Sequence, residues 1–184
     1  IKKMLSKDVR GKKIRLPDSL VNSFYNAPLI IRMDPLNAVI KDQSLHGKII
    51  LVCDTVLHIS KTATLKDIII YANAVVLEDG FKGNCQLFAR ESIVLGKKSV
   101  VNYPSCFGVL KPDSSKIQAK VRIDSGAVFS GVLFSFERER SYLQTVIYLG
   151  ENSLIKGEVH ATGFLKMDSP LKIEGKVSCN RFLM

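Results

Sequence analysis

Apolar and polar residues alternate through most of this chain, in short runs that end on Gly, Asp, Asn or Ser. Val56-Leu57-His58-Ile59, Ile93-Val94-Leu95, Val121-Arg122-Ile123, Ile147-Tyr148-Leu149 and Leu165-Lys166-Met167 are such runs. A period of two over so few residues predicts short strands, each with one buried face. The breaks between them, such as Gly96-Lys97-Lys98-Ser99 and Asp124-Ser125-Gly126-Ala127, have the residue types of tight corners. Helical spacing is missing from residues 44–184.

A second regularity overlies the first. Seven times a large apolar residue is followed two positions later by Gly or Asp, and two positions after that by an apolar or small residue. The copies begin at Leu45, Leu65, Phe81, Val101, Phe129, Ile155 and Ile173, at spacings of 20, 16, 20, 28, 26 and 18. Their third residues are Gly47, Asp67, Gly83, Tyr103, Gly131, Gly157 and Gly175, so the fourth copy is degenerate. A period near 20 with a turn residue at fixed phase marks a solenoid. The expected fold is therefore all-β, a single-stranded right-handed parallel β-helix of about seven coils, because parallel crossovers are strongly right-handed. The uneven spacing disfavours the left-handed form with its strict six-residue period.

The repeat divides the chain. Residues 44–184 form the β-helix domain, and residues 1–43 a basic leader followed by a non-repeating N-terminal cap. Within the cap, residues 16–24 are expected as a short helix starting at Asp18 or Ser19, and residues 28–32 as a strand. The two longest intervals between copies hold insertions, read as loops at 104–116 and 137–142. Insertions in repeat proteins emerge as surface loops and often carry recognition. Tyr103, Lys111, Arg138, Arg140 and Tyr142 are the candidate recognition residues there. The last strand, 177–184, is apolar and lacks polar cover, so we expect the chain to continue past Met184 or to self-associate through its coil ends.

Composition narrows the class without naming a function. The 184 residues are 46% hydrophobic and contain no Trp, with Val, Ile and Leu carrying the apolar load, as in a strand-rich globular domain. The formal charge is +10. Lys2, Lys3, Lys7, Arg10, Lys12, Lys13 and Arg15 against the single Asp8 concentrate much of it in the leader. Such a segment suits an acidic polymer or an anionic membrane surface. No stretch approaches the ~18–20 apolar residues that span a bilayer. Because the chain starts on Ile1, an anchor or export signal upstream is the expected context, and the cell envelope is favoured over the cytoplasm. Cys53, Cys85, Cys106 and Cys179 have no zinc-ligand spacing. By alternation Cys53, Cys85 and Cys179 point inward as small hydrophobes.

Candidate chemistry is sparse. His46, His58 and His160 point outward at non-equivalent positions of the repeat, so stacking gathers no metal site. Glu137, Arg138, Glu139 and Arg140 read as a solvated loop of mixed charge, without the burial that tunes a catalytic pKa. No catalytic residue, cofactor or metal is expected. The second residue of each phrase forms an outward column in which stacking would set Lys66 over Lys82. With His46 and Lys156 these make a candidate basic strip for an acidic polymer. Nucleic-acid binding is disfavoured, since no aromatic platform is interleaved with these lysines.

Ile155-Lys156-Gly157-Glu158-Val159 and its echo Ile173-Glu174-Gly175-Lys176-Val177 make residues 44–184 resemble the bactofilins, polymer-forming cytoskeletal proteins of bacteria. That resemblance implies a right-handed β-helix, end-to-end self-assembly, attachment to membrane or cell-wall machinery and no catalysis. The insertions, the N-terminal region and the uneven spacing depart from a regular filament subunit. The leading expectation is thus a non-catalytic structural or assembly module, the soluble part of a membrane-anchored or exported protein. The alternative is a carbohydrate-binding or carbohydrate-active β-helix acting on an acidic polysaccharide, on the outer face flanked by the insertions.

Overall fold

The alternating runs become strands in the computed structural model, which describes residues 16–139 and 142–183. Thirteen strands follow in order: β1 (Ser19–Asn22), β2 (Leu29–Arg32), β3 (Val39–Ile40), β4 (Ser44–Gly47), β5 (Ile49–Ile59), β6 (Thr64–Leu77) and β7 (Lys82–Leu95). Then come β8 (Val100–Lys111), β9 (Lys120–Ile123), β10 (Val128–Glu137), β11 (Val146–Leu149), β12 (Leu154–Met167) and β13 (Lys172–Leu183). The fold is all-β: a 3-10 turn at Pro35–Asn37 is the sole helical element among the described residues.

Every strand pairing is parallel. The long strands β5, β6, β7 and β12 each bend, so one strand contributes two straight segments to two faces. The first part of β7 pairs with β8 and its last four residues with β9. In the same way β12 pairs with β10 and then with β11. The six strands β7, β8, β10, β12, β11 and β9 therefore close into a parallel ring.

Three corners separate the straight segments. The first carries the repeated Gly or Asp. Gly47, Asp67, Gly131, Gly157 and Gly175 all have positive φ there, from 59 to 152°. At Gly157 the reason is close approach, since a Cβ would collide with the carbonyl oxygen of Gly131 one strand below. The fourth copy resolves differently from its sequence alignment. Ser105, not Tyr103, stands opposite Gly131. Its Oγ donates to the Asn102 carbonyl at 2.6 Å and accepts from the Cys85 N–H at 3.2 Å, so Tyr103 and Pro104 are extruded from the ladder. The second corner follows Cys53, Ala72, Ala89 and Ala161, and the third holds the tight turns at 60–63, 78–81, 96–99, 124–127 and 150–153.

Inward positions stack into one core. Leu57, Val75, Ile93, Val121, Ile147 and Leu165 are all inaccessible to solvent, as are Leu87, Phe107 and Leu133 on another face. Phe107 and Phe129 meet edge to face inside it, with centroids 4.9 Å apart. Cys53 and Cys85 are buried as alternation predicts, and burial pushes the Cys85 thiol up to about 12. Cys179 is half-buried against the core.

Three expectations change. Residues 19–22 are strand β1 rather than a helix, because Ser19–Asn22 gains a full parallel ladder with Ser44–Gly47 and tertiary pairing outweighs local signals. Residues read as a non-repeating cap also join the stack, since β2 and β3 pair in register with the two halves of β5. The first insertion is shorter than it looked. β8 runs through Lys111, leaving a loop at 112–119, and the second insertion lies between the end of β10 at Glu137 and the start of β11 at Val146.

Candidate functional site

Both loops leave the stack at the second corner, on neighbouring strands β8 and β10 that pair in parallel up to Lys111 opposite Glu137. Next to them lies a half-open groove of about 850 Å³. Its floor is the outward face of β5, β6 and β7, with Val52, Tyr71 and Phe88 successive in register. Arg32 stands opposite Val52 at the end of this column, Asp54 and Arg90 lie two residues past Val52 and Phe88, and Pro112, Asp113 and Arg138 belong to the loops.

The aromatic floor follows from the ladder. Tyr71 is paired with Phe88, Phe88 with Gly108, and Gly108 with Phe134. Tyr71 and Phe88 are stacked at 5.3 Å with 22° between planes, close to the strand spacing. Phe134 lies 6.2 Å from Phe88 at 49°. It leans over Gly108, where a Cβ would run into its ring. Missing side-chain volume at Gly108 thus lets the aromatic column continue across that strand.

The groove carries an excess of positive charge. Arg32 Nη1 donates to Asp54 Oδ2 at 2.6 Å, which holds both groups in place. Arg90 and Arg138 form no ion pair among the described residues, and Asp113 is the other acid of the groove. Two unpaired guanidinium groups beside an aromatic floor suit a ligand with carboxylate or sulfate groups and apolar C–H faces.

Beneath the loops the corner is polar and buried. Lys111 Nζ lies 3.9 Å from Glu137 Oε2, with both side chains almost wholly inaccessible. Lys111 Nζ also donates to the Leu143 carbonyl, and Gln118 Nε2 donates to the Gln144 carbonyl at 3.1 Å. The first loop and its root thus hold the backbone of the second. Both carboxylate oxygens of Glu137, together with Ser135 Oγ and Thr145 Oγ1, are buried without a hydrogen bond among the described residues. These placements correct one expectation: Glu137 is not part of a solvated loop. Lys111, a candidate recognition residue, is buried beside it and lines the groove. Each is drawn inward by the other, because a buried charge demands a partner.

The remaining predicted residues scatter. Arg138 lines the groove, Tyr142 is fully exposed on the second loop, and Arg140 and the basic leader lie outside the described residues. Tyr103 is exposed at the first corner, away from the groove. The basic strip does not form as drawn. Lys66 stands opposite His46 and Asn84, whereas Lys82 stands opposite Val100, because the ladder at Lys66 advances 18 residues and not the 16 that separate the two phrases. His46 Nε2 is 3.7 Å from Asp67 Oδ2, and Lys156 is 3.9 Å from Glu174. Glu174 is held below its ordinary pKa by a hydrogen bond from Lys172 and by both lysine charges.

Tyr71, Phe88, Arg32 and Arg90 escaped the sequence reading. A signal existed: Tyr71 and Phe88 flank inward Ile70 and Leu87 at equivalent places in consecutive repeats. Finding it required following a second outward column, and the phrase pointed to a different one. No protein-family model, curated protein or solved structure is found to match the chain, so the likeness to the bactofilins rests on the repeated phrase alone.

Proposed function

We propose that the chain is a right-handed parallel β-helix that acts as a binding module for an acidic polysaccharide, held in the groove beside the paired loops. The handedness rests on the rule for parallel crossovers. The helical path is supported by the sequence advance between paired strands, 18 residues from Leu154 to Lys172 and 28 from Ser92 to Lys120. The observation that carries the binding reading is the coincidence of an aromatic column with Arg90 and Arg138 in one groove. Sugar rings offer C–H faces to aromatic side chains, and uronate or sulfate groups fit guanidinium forks.

The test is retention on immobilised acidic polysaccharides across a salt series. Retention that weakens as salt rises, and that is lost in an Arg90→Ala/Arg138→Ala double variant, supports the reading. Failure to bind any uronate-rich or sulfated polymer at low salt overturns it.

The assembly reading draws on a different observation. β13 pairs only with β12 among the described strands, and Val177, Phe182 and Leu183 on it are exposed. A second copy of this chain adding its own strand to that edge would extend the stack. Sedimentation at rising concentration tests it: ordered oligomers support it, and a monomer throughout removes it.

A further inference from the structure

We infer that the groove contains a slot for one sugar-acid ring, above Val52 and against the free face of Tyr71. The inference rests on the polysaccharide reading and narrows it to a single ring site. Along the outward column the order is Arg32, Val52, Tyr71, Phe88, each opposite the next in the parallel ladder. Tyr71 and Phe88 are stacked, so their faces are turned along the column rather than out toward solvent. A polymer lying over the column would meet ring edges. One face of Tyr71 is used by Phe88. The other is turned toward the Val52 position, where the side chain is too short to cover it.

Arg32 and Tyr71 are two strands apart, which leaves about 10 Å between their positions with Val52 as the floor. A ring in van der Waals contact on both sides needs about 7–8 Å. One ring fits and two do not. The walls state its chemistry. Arg32, fixed by its 2.6 Å bond to Asp54, presents its remaining N–H donors to a carboxylate, and Asp54 accepts from hydroxyl groups. Arg90 lines the same groove. A pyranose ring with a carboxylate, a hexuronate, supplies a C–H face for Tyr71, an anion for Arg32 and hydroxyls for Asp54. The protein therefore reads one uronate ring, and chain length adds little.

The experiment is calorimetric titration with trigalacturonate, a hyaluronan tetrasaccharide and trimannuronate, with free hexuronic acids and neutral hexoses as competitors. Val52→Phe fills the slot by adding an aromatic ring to the column at an outward position. It is expected to weaken uronate binding by roughly tenfold or more, while circular dichroism and the melting temperature stay unchanged. Tyr71→Leu removes the stacking face and gives the same loss if Val52→Phe fails to fold. A free hexuronic acid displaces the oligomer and the neutral hexose does not. Unchanged affinity in both variants overturns the slot, and if Arg90→Ala/Arg138→Ala still weakens binding, the groove reading survives without it. Absence of binding by all three oligomers overturns the slot, and the groove reading falls with it when sulfated polymers are not retained either.

Discussion

The second and third corners of this molecule solve the same problem in opposite ways. At the third corner four successive passes make the same tight turn. Gly80, Lys98, Gly126 and Asn152 adopt positive φ, and each turn is bonded to the next: Gly80 N–H to Lys97 O at 2.8 Å, Lys98 N–H to Ser125 O at 3.1 Å, and Gly126 N–H to Glu151 O at 3.0 Å. Asp79 Oδ1 accepts from Lys97 N–H at 2.7 Å, Ser99 Oγ donates to the Glu78 carbonyl of the neighbouring turn at 3.2 Å, and Ser153 Oγ closes its own turn on the Gly150 carbonyl at 2.6 Å. At the second corner two neighbouring passes open into loops, and buried polar atoms are left without hydrogen bonds. A corner whose backbone is satisfied by its neighbours offers little to a ligand. The corner where periodicity fails has the groove, the arginines and the buried ion pair. Recognition chemistry gathers where the ladder stops satisfying itself.

The comparison breaks most visibly at the buried pair. Lys111→Met or Glu137→Leu alone strands one buried charge and should cost about 3–5 kcal/mol in denaturant unfolding. The double variant should recover most of that loss. Single losses of a few tenths of a kcal/mol, typical of solvated pairs, would show that the second corner is as open as a surface loop.

A smaller effect tests the rigidity of the third corner. A Cβ at Gly96 would sit 2.5 Å from the Asp79 amide nitrogen, which is backbone and cannot rotate away. Gly96→Ala should therefore lower stability by about 1–3 kcal/mol. Alanine at Gly80, where a Cβ meets nothing, separates that clash from the strain of positive φ alone. Equal losses at both positions would mean that crowding between turns plays no part.

The smallest effect concerns acid. Glu78 Oε2 accepts from Ser60 Oγ at 2.8 Å and from Lys61 N–H at 3.0 Å, and these bonds hold its carboxyl below the ordinary value of 4.5. A depressed folded pKa contributes stability above 4.5 that is lost as pH falls through the lower folded value. Melting temperatures of the wild type and Glu78→Gln should differ at neutral pH and converge in acid. A gap that persists below the carboxylate range would assign the effect to packing instead.

Legibility followed the same division. The third corner could be read from Gly96, Ser99, Gly126, Gly150 and Asn152, because turns with positive φ or tight spacing admit few residue types. Inward Cys85 and outward His58 and His160 followed from alternation, which a buried face enforces. Glu137 was misread as solvated, since no local pattern tells a glutamate at a loop root that its partner lies 26 residues back. β1 was misread for the same reason, as its strand conformation depends on a partner at Ser44–Gly47.

Period and alternation, both visible in one dimension, determined that this chain is made of short strands with recurrent corners and one common core. Each depends on the residue's own conformation and its immediate neighbours, which composition and spacing encode directly. Tertiary structure alone decided which strands stand side by side, that both insertions leave at one corner, and that Arg32, Tyr71 and Arg138 share a groove. Those outcomes depend on register summed over successive passes. A one-residue shift, such as the one after Lys66, moves the side chains up to the next shift to new neighbours without leaving a mark in the local pattern.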